Sequence, residues 1–126
     1  MPDVPVRGII AYGAYVPYYR LQKAAITAAL GTGGGRGTRA VASYDEDATS
    51  MAVEASRTAM KSAPDGLVPE SVYFASATPP YLDKTNANVI HAALDLPSRV
   101  FAGDVGGAPR SVNAALRSAL DGSRPT

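Results

Sequence analysis

Three short apolar runs divide the chain, and each is followed by a stretch of helical composition. The runs at residues 7–16, 71–77 and 100–105 combine Val, Ile, Tyr and Phe, and a turn-forming glycine or proline follows each. Such runs predict β-strands. Helices are predicted at residues 45–61, 86–94 and 110–120, with a short helix at 21–30. This alternation favours an α/β fold, a mainly parallel βαβαβα sheet with helices on its faces.

The helix predicted at residues 45–61 has the strongest sequence signals in the chain. Three acidic residues, 45–47, begin it, and Arg57 and Lys61 lie near its end, which suits the helix macrodipole at both ends. Glu54 lies three residues before Arg57, a spacing that permits an ion pair on the exposed side. The acidic start is open to interpretation as a metal site, but a solvated helix start explains it without a ligand.

A glycine-rich segment at residues 31–37 separates the first two predicted helices. Five of its seven residues are glycine, which predicts a flexible surface loop. A phosphate-binding loop is the alternative interpretation. It is disfavoured because no strand leads into the segment and no Lys-Ser or Lys-Thr pair follows it.

The predicted sheet is too thin to be complete. A parallel sheet needs helices on both faces and neighbours beside its strands, whereas three strands leave two open edges. We therefore expect residues 1–126 to be part of a larger fold, or a protomer that needs a partner along a sheet edge.

Composition excludes several classes of function. The chain has 46% hydrophobic and 18% charged residues and a net charge of +1, which predicts a globular protein with no affinity for nucleic acid. It contains no cysteine and one histidine, His91, so disulfides and thiolate metal sites are excluded and a zinc site is not expected. We expect a cytoplasmic protein, because the sequence shows neither a signal peptide nor a membrane span.

Residues 101–116 predict a strand, a turn of small residues and the first turns of a helix. That arrangement often holds a nucleophile at a helix N-terminus, where the macrodipole and free N–H groups stabilise a thiolate. Here Pro109 occupies the turn, and the chain contains no cysteine that could act as the nucleophile. Thiolate chemistry is therefore excluded for this segment.

Several motifs together resemble the thiolase superfamily of condensing enzymes, within it the branch of hydroxymethylglutaryl-CoA synthase and ketoacyl synthase III. In chain order they are residues 13–17 (GAYVP), 44–47 (YDED) with 51–55 (MAVEA), 74–81 (FASATPPY), 90–96 (IHAALDL) and 104–108 (DVGGA). Their order and spacing match the family across nearly the whole chain. The match corresponds to about the first third of a family member.

The resemblance implies a fold and an interface. Members of this superfamily contain a duplicated βαβαβαββ unit in five layers, α-β-α-β-α. Residues 1–126 would be the N-terminal portion of such a domain, the first half of its N-terminal copy. Family dimers pair through the strand before the nucleophile, here residues 100–105.

The resemblance also implies that the catalytic residues are replaced. The family's acyl-accepting cysteine falls at Pro109, and the synthase branch's glutamate falls at Ala77. Neither side chain can act as a nucleophile, acid or base, so no catalytic residue is assigned in this chain. Claisen condensation through an acyl-enzyme is excluded on this basis.

Several other residues have a structural and a functional interpretation. His91 is expected to be a hydrogen-bonded structural residue rather than a general base, and Asp83 is expected to pair with Lys84 in solvent. Asn86 and Asn88 are candidates for capping or hydrogen bonding at the helix start.

The tyrosines and a glycine pair are the weak substrate-binding candidates. Tyr81 and Tyr44 are expected near a pocket mouth, and Gly106 and Gly107 are small enough to let a pantetheine arm or a dimer mate approach the backbone. A tyrosine acting as acid or base, as in the cysteine-less thiolase-like aldolases, is an alternative to simple packing.

The sequence is compatible with two functions of different classes. The first is a cysteine-less protein of acyl-CoA metabolism that binds a coenzyme A or acyl-carrier thioester as substrate, with no covalently bound cofactor. It would belong to a retro-aldolase or condensing complex, beside a partner that combines a zinc ribbon with an OB fold, as the resemblance suggests. The second is a non-catalytic subunit or degenerate synthase paralogue that supports a partner by dimerisation. An ordinary synthase would require both Pro109 and Ala77 to be misassigned.

Overall fold

The computed structural model describes residues 7–122. Its eight elements are a strand β1 at Tyr19–Gln22, a helix α1 at Lys23–Leu30, a strand β2 at Thr38–Val41, a helix α2 at Ala48–Ser62, a strand β3 at Ser71–Ser76, a helix α3 at Asn86–Ala93, a strand β4 at Phe101–Gly106 and a helix α4 at Ser111–Asp121. The four predicted helices and the last two predicted strands are therefore confirmed, with bounds shifted by up to three residues.

Strands β3 and β4 form the parallel sheet of the described residues. They pair in register from Ser71 with Phe101 to Ser76 with Gly106. The connection between them runs through α3, as expected for a βαβ unit. The predicted α/β class with parallel strands is confirmed.

One face of this sheet carries the core. Val53 of α2, Phe74 of β3, and Ala87 and Ile90 of α3 are buried against one another. Because successive side chains of a strand point to opposite faces, Phe74, Val72 and the partner residue Ala102 share this face. Helices α2 and α3 therefore lie on the same side of the sheet.

The opposite face is covered by α4. Tyr73 and Phe101 lie on this side, with ring centroids 5.7 Å apart and planes tilted by 53°. Ala115 of α4 is buried, whereas Leu116 is half exposed. The sheet thus has helices on both faces, as a parallel sheet requires.

The strand predicted at residues 7–16 is not formed. Within residues 7–122, the parallel sheet has two strands, so the prediction of three was wrong. Gly13 lies directly on α2, since a Cβ there would come within 2.3 Å of the Ala55 carbonyl oxygen. Strand-forming composition alone does not make a strand when the segment packs on a helix instead of pairing with a neighbour.

A second, antiparallel sheet was not predicted. Strands β1 and β2 pair from Tyr19 with Val41 to Gln22 with Thr38, and α1 and the glycine-rich loop lie between them. We call residues 18–41 the arm. The four-residue strands are too short to show the alternation by which strands are recognised in a sequence.

The acidic residues 45–47 precede α2 instead of forming its first turn as predicted, and the last of them caps the helix. Asp47 is the N-cap residue and accepts a hydrogen bond from the Ser50 backbone N–H at 2.8 Å, while the Ser50 hydroxyl accepts one from the Asp47 N–H at 2.9 Å. This reciprocal capping box fixes the first turn. The predicted ion pair of Glu54 and Arg57 is confirmed, with a nitrogen–oxygen distance of 2.5 Å.

Most large apolar side chains of this fold are uncovered. In residues 7–122 the buried apolar residues are Val53, Phe74, Ala87, Ile90, Val100 and Ala115, whereas eighteen large apolar residues are exposed. Val112, Leu116 and Leu120 form an exposed stripe along α4. Apolar surface of this extent is typical of a surface that another polypeptide covers. As far as residues 7–122 show, every helix is too short or too polar to traverse a lipid bilayer.

Candidate functional site

The candidate site lies where β3 and β4 end side by side. Ser76 pairs with Gly106, so Ala77 and Gly107 leave the sheet at the same carboxyl edge. Ligands of parallel α/β sheets commonly bind outside this edge. Ala77 and Pro109, the two positions singled out by the resemblance, are both exposed there.

The turn between β4 and α4 is held by Ser111. Its hydroxyl donates to the Gly106 carbonyl oxygen at 2.9 Å and accepts from the Ala108 N–H at 3.3 Å. Gly107 has a φ of 97°, in the left-handed region that favours glycine. Pro109 thus lies on an ordered turn just before α4, where it offers neither a nucleophile nor an N–H.

The loop that follows β3 is tied to β4 by Asn86 and Asp104. The Asn86 side chain accepts from the Tyr81 N–H at 3.1 Å and donates to the Tyr81 carbonyl oxygen at 2.9 Å. Asp104 accepts from the Asn86 backbone and side chain at 2.8 and 2.9 Å, and from the Ala87 N–H at 2.8 Å. Asp104 therefore caps α3 from a neighbouring strand and, through Asn86, fixes the backbone of Tyr81.

The same contacts explain the ionisation of Asp104. Desolvation acts to raise the pKa of its carboxyl group, but the hydrogen bonds from Asn86 and Ala87 outweigh it and hold that pKa below the ordinary value. The negative charge also lies at the positive end of α3. Asn86 is confirmed as a hydrogen-bonding residue at this helix start.

A cavity of about 410 Å³ lies between α2 and α3, beside Tyr15 and the loop after β3. Tyr81 lines it, as expected for a residue near a pocket mouth, but Tyr44 does not line it and is fully exposed. The Lys84 ammonium lies 3.9 Å from the centre of the Tyr81 ring. That cation–π contact replaces the predicted pair with Asp83, which is not among the ion pairs of residues 7–122.

Tyr15 and Glu46 form a polar contact at the rim of this cavity. The Tyr15 hydroxyl donates to the Glu46 carboxylate. This hydrogen bond raises the pKa of Tyr15 and, together with the Ser43 N–H, lowers the pKa of Glu46. Glu46 is therefore a poor proton acceptor and Tyr15 a poor proton donor near neutral pH.

The acidic start of α2 is accounted for by hydrogen bonds. The Ser43 hydroxyl lowers the pKa of Asp45, and the Thr49 hydroxyl with the Ser50 N–H lowers the pKa of Asp47. In the described part of the chain, no group of three or more metal-ligating side chains is brought together.

His91 has a structural contact. Its Nε2 lies 3.1 Å from the Pro97 carbonyl oxygen, across the turn that ends α3. The structure places it on α3, away from Ala77 and Pro109, so the expected structural role is supported. A larger cavity of about 710 Å³ lies at the other end of the sheet, near Ser71 and Phe101, and none of the candidate residues lines it.

Asp104 was missed as a functional candidate by sequence reasoning. Its sequence signal is a carboxylate among the small and apolar residues of a strand, at residues 101–106. A charge in such a run is uncommon, and it indicates a partner on a neighbouring element.

The chain is similar to archaeal hydroxymethylglutaryl-CoA synthases. It is 33% identical over 120 residues to that of Methanocella arvoryzae and 34% identical over 122 residues to that of Pyrococcus furiosus. These alignments cover 90% and 95% of this chain but only 35% and 34% of the relatives. The chain thus spans about a third of the length of these relatives. No family model matches it.

Solved structures of condensing enzymes share its fold. The β-ketoacyl-[acyl carrier protein] synthase III of Thermus thermophilus superposes with a TM-score of 0.77 at 29% identity, over 89% of this chain and 37% of the enzyme. The corresponding synthase of Aquifex aeolicus gives 0.75 at 26% identity, over 88% and 38%. OleA of Xanthomonas campestris, at 19% identity and a TM-score of 0.70, shows the fold alone.

Proposed function

This chain belongs to the thiolase superfamily, and from that premise we propose that it binds an acyl thioester of coenzyme A or of a carrier protein. Binding would take place at the carboxyl edge of β3 and β4, with no acyl-enzyme formed. The observation that supports the proposal is the ordered strand-turn-helix segment at residues 106–111, in which Pro109 occupies the position that the resemblance assigns to the nucleophile.

The glycine at position 106 supports the proposal that a substrate approaches the backbone at this edge. A Cβ at Gly106 would lie 3.8 Å from the Ser76 carbonyl oxygen, an ordinary contact, and the φ of Gly106 is not in the left-handed region. The described fold therefore does not require glycine there. A small residue at an exposed sheet edge is what the close approach of a thin ligand arm to the backbone requires.

Chemistry at this edge would depend on groups other than Ala77 and Pro109. Two hydroxyls at this edge are held by hydrogen bonds: that of Ser76 accepts from the Thr78 N–H at 3.1 Å, and that of Ser111 holds the turn. Retro-aldol cleavage in a complex, with the reacting groups supplied by another polypeptide such as a zinc-ribbon and OB-fold partner, is the reaction that we propose.

Calorimetric titration with acetyl-CoA tests the binding step. We expect saturable binding and an unchanged intact mass of the protein. Gly106→Val should weaken binding at least about tenfold by filling the approach to the strand end, while the folded state is retained because β-branched residues suit a strand. Gly8→Val is the matched control, since a Cβ there meets nothing within 4 Å. Absence of binding to the unaltered chain would refute the proposal.

A non-catalytic, dimerising subunit is the second candidate. The specific observation is β4, which has one hydrogen-bonded neighbour in the described part of the chain and exposes Phe101. An open strand edge of six residues can pair with a second copy or a related subunit. Light scattering should then give a mass above that of the 13.0 kDa chain, and a stable monomer would contradict this candidate.

A further inference from the structure

The cavity at the amino edge of the parallel sheet has no part in the proposed function. Its volume is about 710 Å³, and it lies between the starts of β3 and β4 and the last turn of α4. Cavities of this size commonly hold small molecules. Ala77 and Pro109 lie at the carboxyl edge, so the two sites are at opposite ends of the sheet.

One wall of this cavity is apolar. Tyr73 of β3 and Phe101 of β4 contribute two rings, whose centroids are 5.7 Å apart. Val68, Pro69 and the buried Val100 extend this wall. Tyr73 is half-buried and Phe101 is 56% exposed, so aromatic surface remains open to a ligand. Such a wall favours a ligand with an aromatic ring, which can stack on it or meet it edge-on.

Three charged side chains line the same cavity, and their sum is one positive charge. Arg7 and Arg99 are cationic, and Glu70 is anionic. Arg7 lies against the end of α4, since one of its guanidinium nitrogens is 3.2 Å from where a Cβ of Gly122 would lie. A cation suits that position because the C-terminal end of a helix carries partial negative charge. A ligand with a single negative charge would therefore neutralise the lining.

Arg99 is the cation available to such a ligand. In residues 7–122 its side chain forms no hydrogen bond or ion pair, not even with Glu70 of the same cavity. Its backbone is held on the C-terminal side, where the Phe101 N–H donates to the Glu70 carbonyl oxygen at 3.1 Å. A guanidinium group binds a carboxylate through two parallel hydrogen bonds, which fix the orientation of the ligand.

We propose that this cavity binds a small aromatic monocarboxylate. Arg99 would bind the carboxylate, and the wall of Tyr73 and Phe101 would cover the ring. A dianion such as phosphate would exceed the single positive charge of the lining, and a small polar anion would leave the apolar wall without a contact. This inference goes beyond the proposed function and does not depend on it.

An NMR titration of the isotope-labelled full chain with phenylacetate tests the site. This probe joins one carboxylate to one ring, and phenylacetamide has nearly the same shape without the charge. We expect saturable shifts in the backbone amide signals of residues 70–73, 99–101 and 118–122, which line or adjoin the cavity. Phenylacetamide should bind at least about tenfold more weakly, because it cannot form a charge-assisted pair with Arg99.

Arg99→Gln tests the charge and should weaken phenylacetate binding at least about tenfold. Arg39→Gln makes the same change at an exposed residue of the arm and is the matched control, with an expected effect of less than about twofold. Both side chains are exposed, so both variants should keep the fold of the unaltered chain.

Ala119→Leu tests the space inside the cavity. Ala119 lines it from α4, and leucine suits a helix, so this change should fill the cavity and weaken binding at least about tenfold while α4 is retained. Ala114→Leu is the matched control on the same helix, because Ala114 is exposed and does not line the cavity. Its effect on binding should be less than about twofold.

Four results would overturn the inference: no saturable binding of phenylacetate, equally tight binding of phenylacetamide, equal weakening by Arg99→Gln and Arg39→Gln, or unchanged binding in Ala119→Leu. Shifts confined to the exposed stripe of α4 or to the carboxyl edge would place the probe outside the cavity and overturn it as well. Acetyl-CoA binding should be the same in Arg99→Gln as in the unaltered chain. Its loss would join the cavity to the proposed thioester site and contradict a separate site.

Discussion

At the scale of single residues, Asp104 is the most informative position in the structure. Its carboxylate accepts hydrogen bonds from Asn86 and Ala87 and so replaces a local cap, since the N-cap residue Thr85 makes no side-chain capping bond. One side chain of β4 thereby stabilises α3 and positions Tyr81. Removing it would affect helix, loop and strand together.

Asp104→Ala should lower the free energy of unfolding by about 1–3 kcal/mol, because it removes the cap and leaves the buried Asn86 short of a partner. Urea unfolding measures the change. Asp83→Ala removes a carboxylate at an exposed position and is expected to cost less than about 0.5 kcal/mol. Equal losses in the two variants would show that Asp104 has no special role.

The lowered carboxyl pKa values predict how stability depends on pH. Asp104, Asp47 and Glu46 have folded-state pKa values below those of the unfolded chain, so each stabilises the folded state fully above about pH 4. That contribution should be lost as pH falls through their folded-state pKa values. Unfolding free energies from pH 7 to pH 2 should therefore decline below pH 4, and less steeply in Asp104→Asn.

Residue roles set by local sequence were predictable and those set by distant contacts were not. Asn86 lies at a helix start, and Glu54 and Arg57 are three residues apart on one helix, so their interactions follow from spacing. Asp104 bonds to the backbone N–H groups of Asn86 and Ala87, which lie 18 and 17 positions away in sequence, so spacing does not predict these contacts.

At the scale of elements, the turn from β4 to α4 contains two neighbouring glycines whose substitution should affect stability differently. Gly107 has a positive φ, so Gly107→Ala should destabilise the fold by about 1 kcal/mol or more. Gly106 has neither a positive φ nor a close contact, so Gly106→Ala should change stability by less than about 0.5 kcal/mol. Thermal unfolding of the two variants compares them, and the reverse order would contradict the turn geometry.

Helices were easier to predict than strands in this chain, for a physical reason. The signals that predict α2 and α4 depend only on neighbours in sequence: acidic residues precede α2, and apolar residues recur every four positions in α4. A strand exists only when another strand pairs with it, which the sequence does not show. Hence β3 and β4 were found, residues 7–16 were wrongly given a strand, and the β1–β2 pair was missed.

At the scale of the whole molecule, the side of the parallel sheet that faces α2 and α3 is well packed, whereas apolar residues of α4 are exposed. Ile90 is 2% exposed in the core of α2, α3 and β3, whereas Leu116 of α4 is 48% exposed. The chain spans about a third of the length of the relatives. The fold class was predictable from the order of the elements.

This difference in burial predicts a difference in stability. Ile90→Ala should cost about 2–4 kcal/mol, because it leaves a cavity in the core. Leu116→Ala should cost less than about 1 kcal/mol, because the side chain is largely solvated before the change. Denaturant unfolding compares the two variants, and similar losses would show that α4 buries its apolar stripe in solution.

The central claim is that the turn at Pro109 lies where the family presents its nucleophile to a thioester. Because the chain has no cysteine, Pro109→Cys creates a single thiol there, and its exchange with coenzyme A disulfide to give a protein–coenzyme A mixed disulfide and free coenzyme A can be followed by intact mass. Ser98→Cys places a matched thiol at an exposed position before β4, and rates are normalised to a small disulfide. We expect the thiol at 109 to react at least about tenfold faster with coenzyme A disulfide than the thiol at 98. Equal normalised rates would contradict the assignment of this sheet edge as a coenzyme A thioester site.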